Sequence, residues 1–317
     1  MQLRSYLFAG IASLLINSFS AQSQDLLKLL DSSQNTKPIL QPTWKDTRLI
    51  DVQTTKIPAP GVMEFRIMHR FGDIGDGSGG GVHTLYGFDV ASDILFSFEF
   101  GITKNFMLGV SRSKEQELID LTAKYRFLTQ QTSGMPISAA LYGDLGITPE
   151  ISSTLYTGAD SSVQKEFADR LFYLGELIVD RRFNDRISLE LLTGLSHRNY
   201  VLANENVNND ATDENNIPFL AAGGRFMLNK HSAIVFDVYY LFSAYRTNNT
   251  GNPYYAPISI GYEVETGGHV FEINFTNASF LDENNIIPNT QSNWLKGGFK
   301  LGFSISRVFN IWHPRVD

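Results

Sequence analysis

The chain has no cysteine, which excludes disulfides, thiolate metal sites, a cysteine nucleophile and a lipidated-cysteine anchor. It is short of positive charge, with 26 Lys and Arg against 33 Asp and Glu and a net charge of −7. That balance argues against a generic nucleic-acid or anionic-lipid surface. Long apolar runs are missing but for one. Tyr6 to Phe19 follows a short leader containing Arg4, is too short to cross a bilayer as a helix, and has the character of a secretory h-region. The small residues Ser18, Ser20, Ala21 and Ser23 put the expected cleavage within Ser20 to Ser23. The mature chain is then expected to carry no membrane helix and to be free to reach the outer membrane.

What the chain has instead is alternation of period two. Ile94, Phe96, Phe98, Phe100 and Ile102 share one phase, with Leu95, Ser97, Glu99 and Gly101 on the other. Phe299, Leu301, Phe303 and Ile305 likewise oppose Lys300, Gly302, Ser304 and Ser306. Successive strand side chains point to opposite faces, so one face can meet lipid and the other water. Twelve such segments read as strands, at 62–71, 92–102, 106–113, 118–128, 136–147, 167–180, 186–197, 217–228, 233–246, 257–266, 269–278 and 297–310.

A soluble sandwich would show the same alternation with shorter strands and evenly sized turns, so the connections decide. Thr103 to Asn105, Arg181 to Asp185, Asn229 to Ser232 and Thr266 to Gly268 are tight and carry Asn, Asp or Gly, as hairpins require. Gly72 to Ala91, Thr148 to Glu166, Arg198 to Asn216, Thr247 to Ala256 and Ser279 to Lys296 are long, while Lys114 to Glu117 and Thr129 to Met135 blur the alternation. The expected fold is all-β, a transmembrane antiparallel up-and-down β-barrel of about twelve strands, with about ten or fourteen if one hairpin is misjudged. Bacterial barrels keep their short turns in the periplasm, so both mature termini are expected there. The expected organisation is a signal peptide over 1–23, a periplasmic extension over 24–60 and the barrel over 61–317. In the extension, Asp25 to Leu30 suits a helical turn or two ahead of Pro38, Pro42, Pro58 and Pro60. A loose tail is the plainer expectation for a terminus; packing under or into the barrel is the sharper one.

Opposite the lipid phase fall Glu64, Arg66, Glu99, Asp120, Lys124, Arg126, Asp144, Glu176, Glu190, Arg225, Asp237, Glu263, Glu272 and Lys300, the candidate lumen-lining charges. A Lys or Arg at the bilayer midplane costs roughly 2–4 kcal/mol, which accounts for keeping charge to one phase. Acid and base can pair across a narrow interior and close it, the plainer outcome, or line a water-filled channel. Barrels of about eight strands are filled by side chains and those of about sixteen are open, so twelve lies between. Carboxylates outnumber bases in the set, which favours cations in any pore. Tyr86, Phe88, Phe106, Tyr200, Tyr245, Tyr254, Tyr255, Phe309 and Trp312 sit near strand ends, where amphipathic rings suit interfacial girdles.

Catalytic constellations are thin. Ser196 and His197 are adjacent, so a strand turns them to opposite faces and separates a nucleophile from its base. The histidines at 69, 83, 197, 231, 269 and 313 show neither H-E-x-x-H nor H-x-x-E-H spacing. Gly72 to Gly81 superficially resembles a phosphate or calcium loop but lacks the following Lys-Ser/Thr helix and the closing Glu, and reads as an external loop. Asn204 to Asn216, rich in Asn, Asp and Glu, reads as a solvated loop rather than a weak divalent-ion site. Neither an enzyme nor a bound cofactor or metal is expected.

The stretch Arg66 to Gly72, with His69-Arg70-Phe71-Gly72 its most specific part, is followed by Tyr86-Gly87-Phe88-Asp89, Phe100-Gly101-Ile102-Thr103, Gly109 to Ser113 and Lys124 to Phe127. This series resembles a family of Bacteroidota outer-membrane β-barrels of unknown function, most densely over 61–147. The resemblance implies an envelope location and a barrel fold, and brings no activity and no functional residues. Two functions follow as expectations. One is a passive channel or transport barrel for small solutes. The other is a closed structural barrel that binds an envelope partner through its loops or its N-terminal extension. Outer-membrane lipid is the expected surround in both, and nucleic acid is a partner in neither.

Overall fold

The computed structural model describes residues 43–75, 79–149 and 166–312; the expected signal peptide, its cleavage and the extension before residue 43 lie outside them. Among the described residues run β1 (Val62–Asp73), β2 (Ala91–Gly101), β3 (Phe106–Ser113), β4 (Ile119–Leu128), β5 (Ser138–Ile147), β6 (Leu171–Arg182), β7 (Ile187–Arg198), β8 (Asn216–Met227), β9 (Ser232–Leu241), β10 (Ile258–Thr266), β11 (His269–Thr276) and β12 (Lys300–Asn310). Each pairs antiparallel with its neighbours in sequence, and β12 returns to β1 with Ile67 opposite Ile305. Closure leaves no unpaired edge, which a sheet in hydrocarbon requires. The barrel therefore has twelve strands.

Where strand limits differ from the alternation, local hydrogen bonds explain it. β9 stops at Leu241 instead of 246 because the chain turns on Ser243: the Thr247 N–H and hydroxyl donate to the Ser243 carbonyl at 3.2 and 2.7 Å, and Glu214 accepts from the Tyr245 N–H at 3.1 Å. β6 starts at Leu171 after a 3₁₀ turn over Ala168–Arg170. The β11–β12 connection, read as plain loop, contains a short helix α1 (Glu283–Asn289) whose N-cap Asp282 accepts from the Asn284 N–H at 2.8 Å. Such a cap satisfies a donor that the first helical turn leaves unpaired. Within the β4–β5 connection the Gln131 N–H donates to the Met135 carbonyl at 2.9 Å.

The outer face of the barrel is apolar and exposed, with Leu121, Tyr125, Leu141, Leu177, Leu191, Ile260 and Ile273 all standing outward. A contiguous apolar surface of this kind belongs against lipid. No described helix is long and apolar enough to cross a membrane, so the strands do the crossing. Leu177 sits mid-strand on β6. Leu177→Arg is expected to destabilise the folded barrel in vesicles by about 2–4 kcal/mol, read by urea titration. A change within about 0.5 kcal/mol, the usual surface value, would take that face out of the hydrocarbon.

Candidate functional site

The interior is occupied. Trp44 and every residue from Asp46 to Thr55 are buried, so the last part of the N-terminal extension is not the loose tail expected of a terminus. Its only ladder contact is an isolated bridge between Arg48 and Gln53, which closes it on itself rather than onto the wall. The hairpin-like turn is held by Leu49 N–H to Val52 carbonyl and Thr54 N–H to Thr47 carbonyl, each 2.9 Å. The segment leaves the lumen over Gly101, where a Cβ would stand 2.3 Å from the carbonyl oxygens of Pro58 and Ala59. Only glycine allows so close a backbone approach.

One side of the segment is apolar. Trp44, Leu49, Ile50 and Val52 form one cluster with Leu174, Ile178, Leu192, Ile217, Phe219, Val235 and Tyr239 from β6 to β9 and with Ile287 of α1. The other side is polar and meets the charges of the wall. Asp51 is central: its carboxylate accepts from Arg70 at 2.9 Å, Ser259 at 2.6 Å and Thr276 at 3.2 Å, its N–H donates to Asp237 at 2.8 Å, and its carbonyl accepts from Tyr239 at 2.7 Å. Asp46 accepts from Arg66 and from Ser306, and the Thr47 hydroxyl is shared between Glu64 and Glu99. Lys124 donates to the Thr47 carbonyl at 2.9 Å, Lys56 pairs with Glu64 at 2.8 Å, and the Trp44 indole N–H donates to Asp180 at 2.8 Å.

Helix α1 also lies within the buried interior, with Asp282 to Pro288 buried. Gln53 and Tyr239 both donate to Glu283 at 3.2 Å, Asn284 donates to Asp144 at 3.1 Å, and the Leu281 N–H donates to Asp93 at 2.9 Å. Burial pushes the Glu283 carboxyl above the usual range, against the attraction of Arg48. The Arg48 guanidinium, which burial alone would push down, is instead held above its ordinary value by Glu283, Tyr239, Asp51 and Asp282. A cavity of about 20 Å³ remains between Arg48, Gln53, Arg66, Glu99, Tyr142 and Asp282, room for about one water.

The interior-phase charges all face this filled space. Glu64, Arg66, Glu99, Asp120, Lys124, Asp144, Glu176, Glu190, Arg225, Asp237, Glu263, Glu272 and Lys300 are buried, and Arg126 is half-buried. The structure divides them. Glu64, Arg66, Glu99, Lys124 and Asp237 hold the N-terminal segment, and Asp144 holds α1. Others pair along the wall: Arg225 with Glu263 at 2.8 Å, Lys300 with Asp73 at 2.5 Å, and Glu272 accepting from Asn274 at 2.8 Å. Arg126 donates to the Lys104 carbonyl at 2.9 Å. Glu176 and Glu190 are buried with no hydrogen-bond partner for either oxygen among the described residues.

Sequence reasoning missed Arg70, Asp93 and Asp180 in the same phase, and missed Asp46, Arg48, Asp51, Asp282 and Glu283, which come from outside the strands. A signal for the occupant was present. Leu174, Ile178, Leu192, Phe219 and Val235 also fall in the interior phase, where water gives no reason for apolar side chains, so they require an apolar occupant. One interfacial reading needs correction. Tyr245 is buried rather than interfacial, with Arg246 5.4 Å from its ring and 5.0 Å from that of Tyr254 while pairing with Asp213 at 2.8 Å. The Asn204 to Asn216 loop is mostly exposed, but Asn206 within it is fully buried, its amide donating to the Tyr245 and Thr247 carbonyls at 2.9 and 3.0 Å. Ser196 faces inward and buried, while the His197 imidazole bonds to Asn216 at 2.8 Å on the other face.

One oxygen-rich cluster lies beside Arg48: Asp120, Asp144 and Asp282 each place a carboxylate oxygen within 4.8 Å of the others. No described Lys or Arg forms an ion pair with any of the three.

The model of a family described as "Membrane bound beta barrel domain (DUF5777)" matches residues 44–309. The match begins at Trp44, so it spans the internal segment together with the barrel. No curated protein matches the chain by sequence. Among solved structures, the barrel is similar to the NanC porin, at 7% identity and a TM-score of 0.44 over 78% of this chain and 98% of that one. It is similar to the KdgM porin at 9% identity and a TM-score of 0.43, over 78% and 99% of the two chains. It is also similar to Salmonella typhi OmpF in complex with daunomycin, at 9% identity and a TM-score of 0.36, over 78% and 97%. At such scores these likenesses say nothing of what this barrel carries.

Proposed function

We propose, from the premise that this chain belongs to the DUF5777 family of membrane-bound β-barrel domains, that it is an outer-membrane transport barrel for small solutes, shut at rest by its own residues 43–57. The observation that carries this reading is how that segment is attached. It enters no strand pairing with the wall and is held there by side-chain contacts. It can therefore leave without opening the barrel. A permanently closed interior would be as stable, or more so, with apolar residues in place of buried ion pairs. The segment instead carries Asp46, Thr47, Arg48, Asp51, Gln53, Thr54, Thr55 and Lys56, which tolerate release into water.

Planar-bilayer recording tests the reading. The full chain is expected to be silent at low voltage, and the folded chain lacking 43–57 to conduct in stable steps. A steady conductance from the resting full chain would overturn the closure, and silence of the folded deletion variant would overturn transport. Silence would favour the alternative, a closed barrel that binds an envelope partner. Val82, Leu85, Phe88 and Leu295, exposed in the long connections, favour that second reading.

A further inference from the structure

We infer that the barrel wall carries a binding site for an acidic residue of a peptide, in which Asp51 sits as a tethered occupant, and that the solutes this barrel passes are short acidic peptides. The inference rests on the transport reading above, since the site is free only when residues 43–57 leave.

The site is built by strands alone. Asp237 on β9, Ser259 on β10 and Thr276 on β11 stand in one row across neighbouring strands, with Ser259 opposite both of the others. All three are buried. The Ser259 hydroxyl bonds that of Thr276 at 2.9 Å, so the wall itself sets their positions. Arg70 comes from β1, with β12 between it and the row. There Gly302 stands opposite Arg70, and a Cβ on it would lie 3.1 Å from Arg70 Nε. Glycine lets the guanidinium lie across β12 toward the row.

Together these groups read one residue through all of its polar atoms. Arg70, Ser259 and Thr276 take the Asp51 carboxylate, Asp237 takes its N–H, and the Tyr239 hydroxyl takes its carbonyl. An N–H and a carbonyl belong to almost any peptide residue, so those two contacts read backbone. The other three demand an acid. Ile50 and Val52 on either side enter the apolar cluster of β6 to β9, so the residue that fits is an acid between apolar neighbours. Guanidinium and hydroxyl recur together at Arg66 and Ser306, which receive Asp46. A bare anion is a poorer match, because it would pair Arg70 and leave the Asp237 carboxylate buried beside it without a donor.

Asp51 does not exhaust the site. Arg70 Nε and Asp237 Oδ1 are buried with no hydrogen-bond partner among the described residues. Unmade bonds of this kind are costly in a wall built only to anchor a segment. A peptide that is free to settle, with a second carboxylate oxygen for Arg70 or an amino group for Asp237, gains contacts that the tethered residue forgoes.

The test uses the full chain in detergent carrying Asp51→Ala, which empties the carboxylate end of the site, and as probe an octapeptide copying residues 46–53. A tether of this kind supplies an effective concentration on the order of millimolar. Loss of the buried ion pair weakens the tethered copy by at least about a hundredfold, so the peptide takes the site at about 1 mM. Isothermal titration is expected to give it a dissociation constant at least about tenfold lower than that of the same peptide with Asp51→Asn, the usual worth of a charged hydrogen bond. Wild-type protein, whose own Asp51 holds the site, is expected to bind the octapeptide at least about tenfold more weakly than the variant does. Trp44 is buried at rest and absent from the probe, so its quenching by acrylamide is expected to rise on binding, and Trp44→Phe to abolish that rise. If Asp51→Ala does not refold, Asp51→Asn takes its place with the same expected order of affinities. Equal affinity for the two peptides, or no binding to the folded variant, would overturn the site and leave the transport reading to its own conductance test. Binding that keeps Trp44 shielded would place the peptide elsewhere and overturn it too. Selective binding without conducting steps in parallel bilayer recordings would uphold the site and overturn transport, and the substrate class with it.

Discussion

Asp51→Ala is expected to destabilise the barrel by about 3–5 kcal/mol, the usual cost of breaking a fully buried ion pair from one side. Arg70 and Asp51 are both inaccessible to solvent and meet at 2.9 Å. Without the carboxylate, Arg70 keeps, among the described residues, one bond, to the Ala278 carbonyl at 2.9 Å, and is buried from water. Thr276 loses its acceptor as well, and Ser259 is left with the Thr276 hydroxyl at 2.9 Å. Urea titration of the refolded barrel in detergent measures the loss. Asp51→Asn, which keeps an oxygen for the hydroxyls but removes the charge, is expected to cost less than the alanine. Asp51→Leu combined with Arg70→Met is expected to recover most of the stability, because the pair's own desolvation disappears with it. A loss below about 1 kcal/mol for Asp51→Ala, the scale of exposed pairs, would mean that the segment is not anchored at this point.

How much of this was legible beforehand depends on the range of the interaction. Strand positions are local, set by period two and by turn residues, and β3 falls on 106–113 as its alternation requires. The inward set from Glu64 to Lys300 is also local, since phase alone assigns it. What fills the lumen is not local. Asp51 meets residues up to 225 positions away, and nothing in its immediate sequence names Thr276 or Arg70. Only the wall carried a trace of it, in the apolar inward residues of β6 to β9. Helix α1 was hidden differently. Asn284, Asn285 and Pro288 are poor helix formers, and burial against the wall, rather than propensity, holds those seven residues in a helix.

The interior is two-sided for a physical reason. Apolar residues of β6 to β9 face Trp44, Leu49, Ile50 and Val52, which fixes how the segment is rotated in the lumen. The charged wall then decides its depth, since Asp46 must reach Arg66 while Asp51 reaches Arg70, four residues along the same strand. Two ion pairs to alternate inward positions of β1 act as a register. A slip by one inward position would carry both carboxylates off their arginines and break both pairs, and each such loss costs several kcal/mol.

Removal of residues 43–57 is expected to produce a conductance that favours cations over anions, by a reversal-potential shift toward the cation in a salt gradient. The wall exposed by the deletion carries more carboxylates than bases. Glu99, Glu176, Asp180, Glu190 and Asp237 are among the acids, set against Arg66, Arg70 and Lys124. Glu176 and Glu190 have no hydrogen-bond partner among the described residues, so hydration after deletion leaves them as fixed negative charges in a narrow path. Raising the salt should weaken the preference, because screening shortens the reach of those charges. Glu176→Gln together with Glu190→Gln, made in the deletion background, is expected to lower the cation preference while leaving the conducting state in place. Helix α1 stays in the lumen in this variant, so the step size should fall below that of an empty barrel of about twelve strands. If the folded variant conducted anions in preference, Arg66, Arg70 and Lys124 would be governing the path, and the carboxylate-lined route would be wrong even though the barrel had opened.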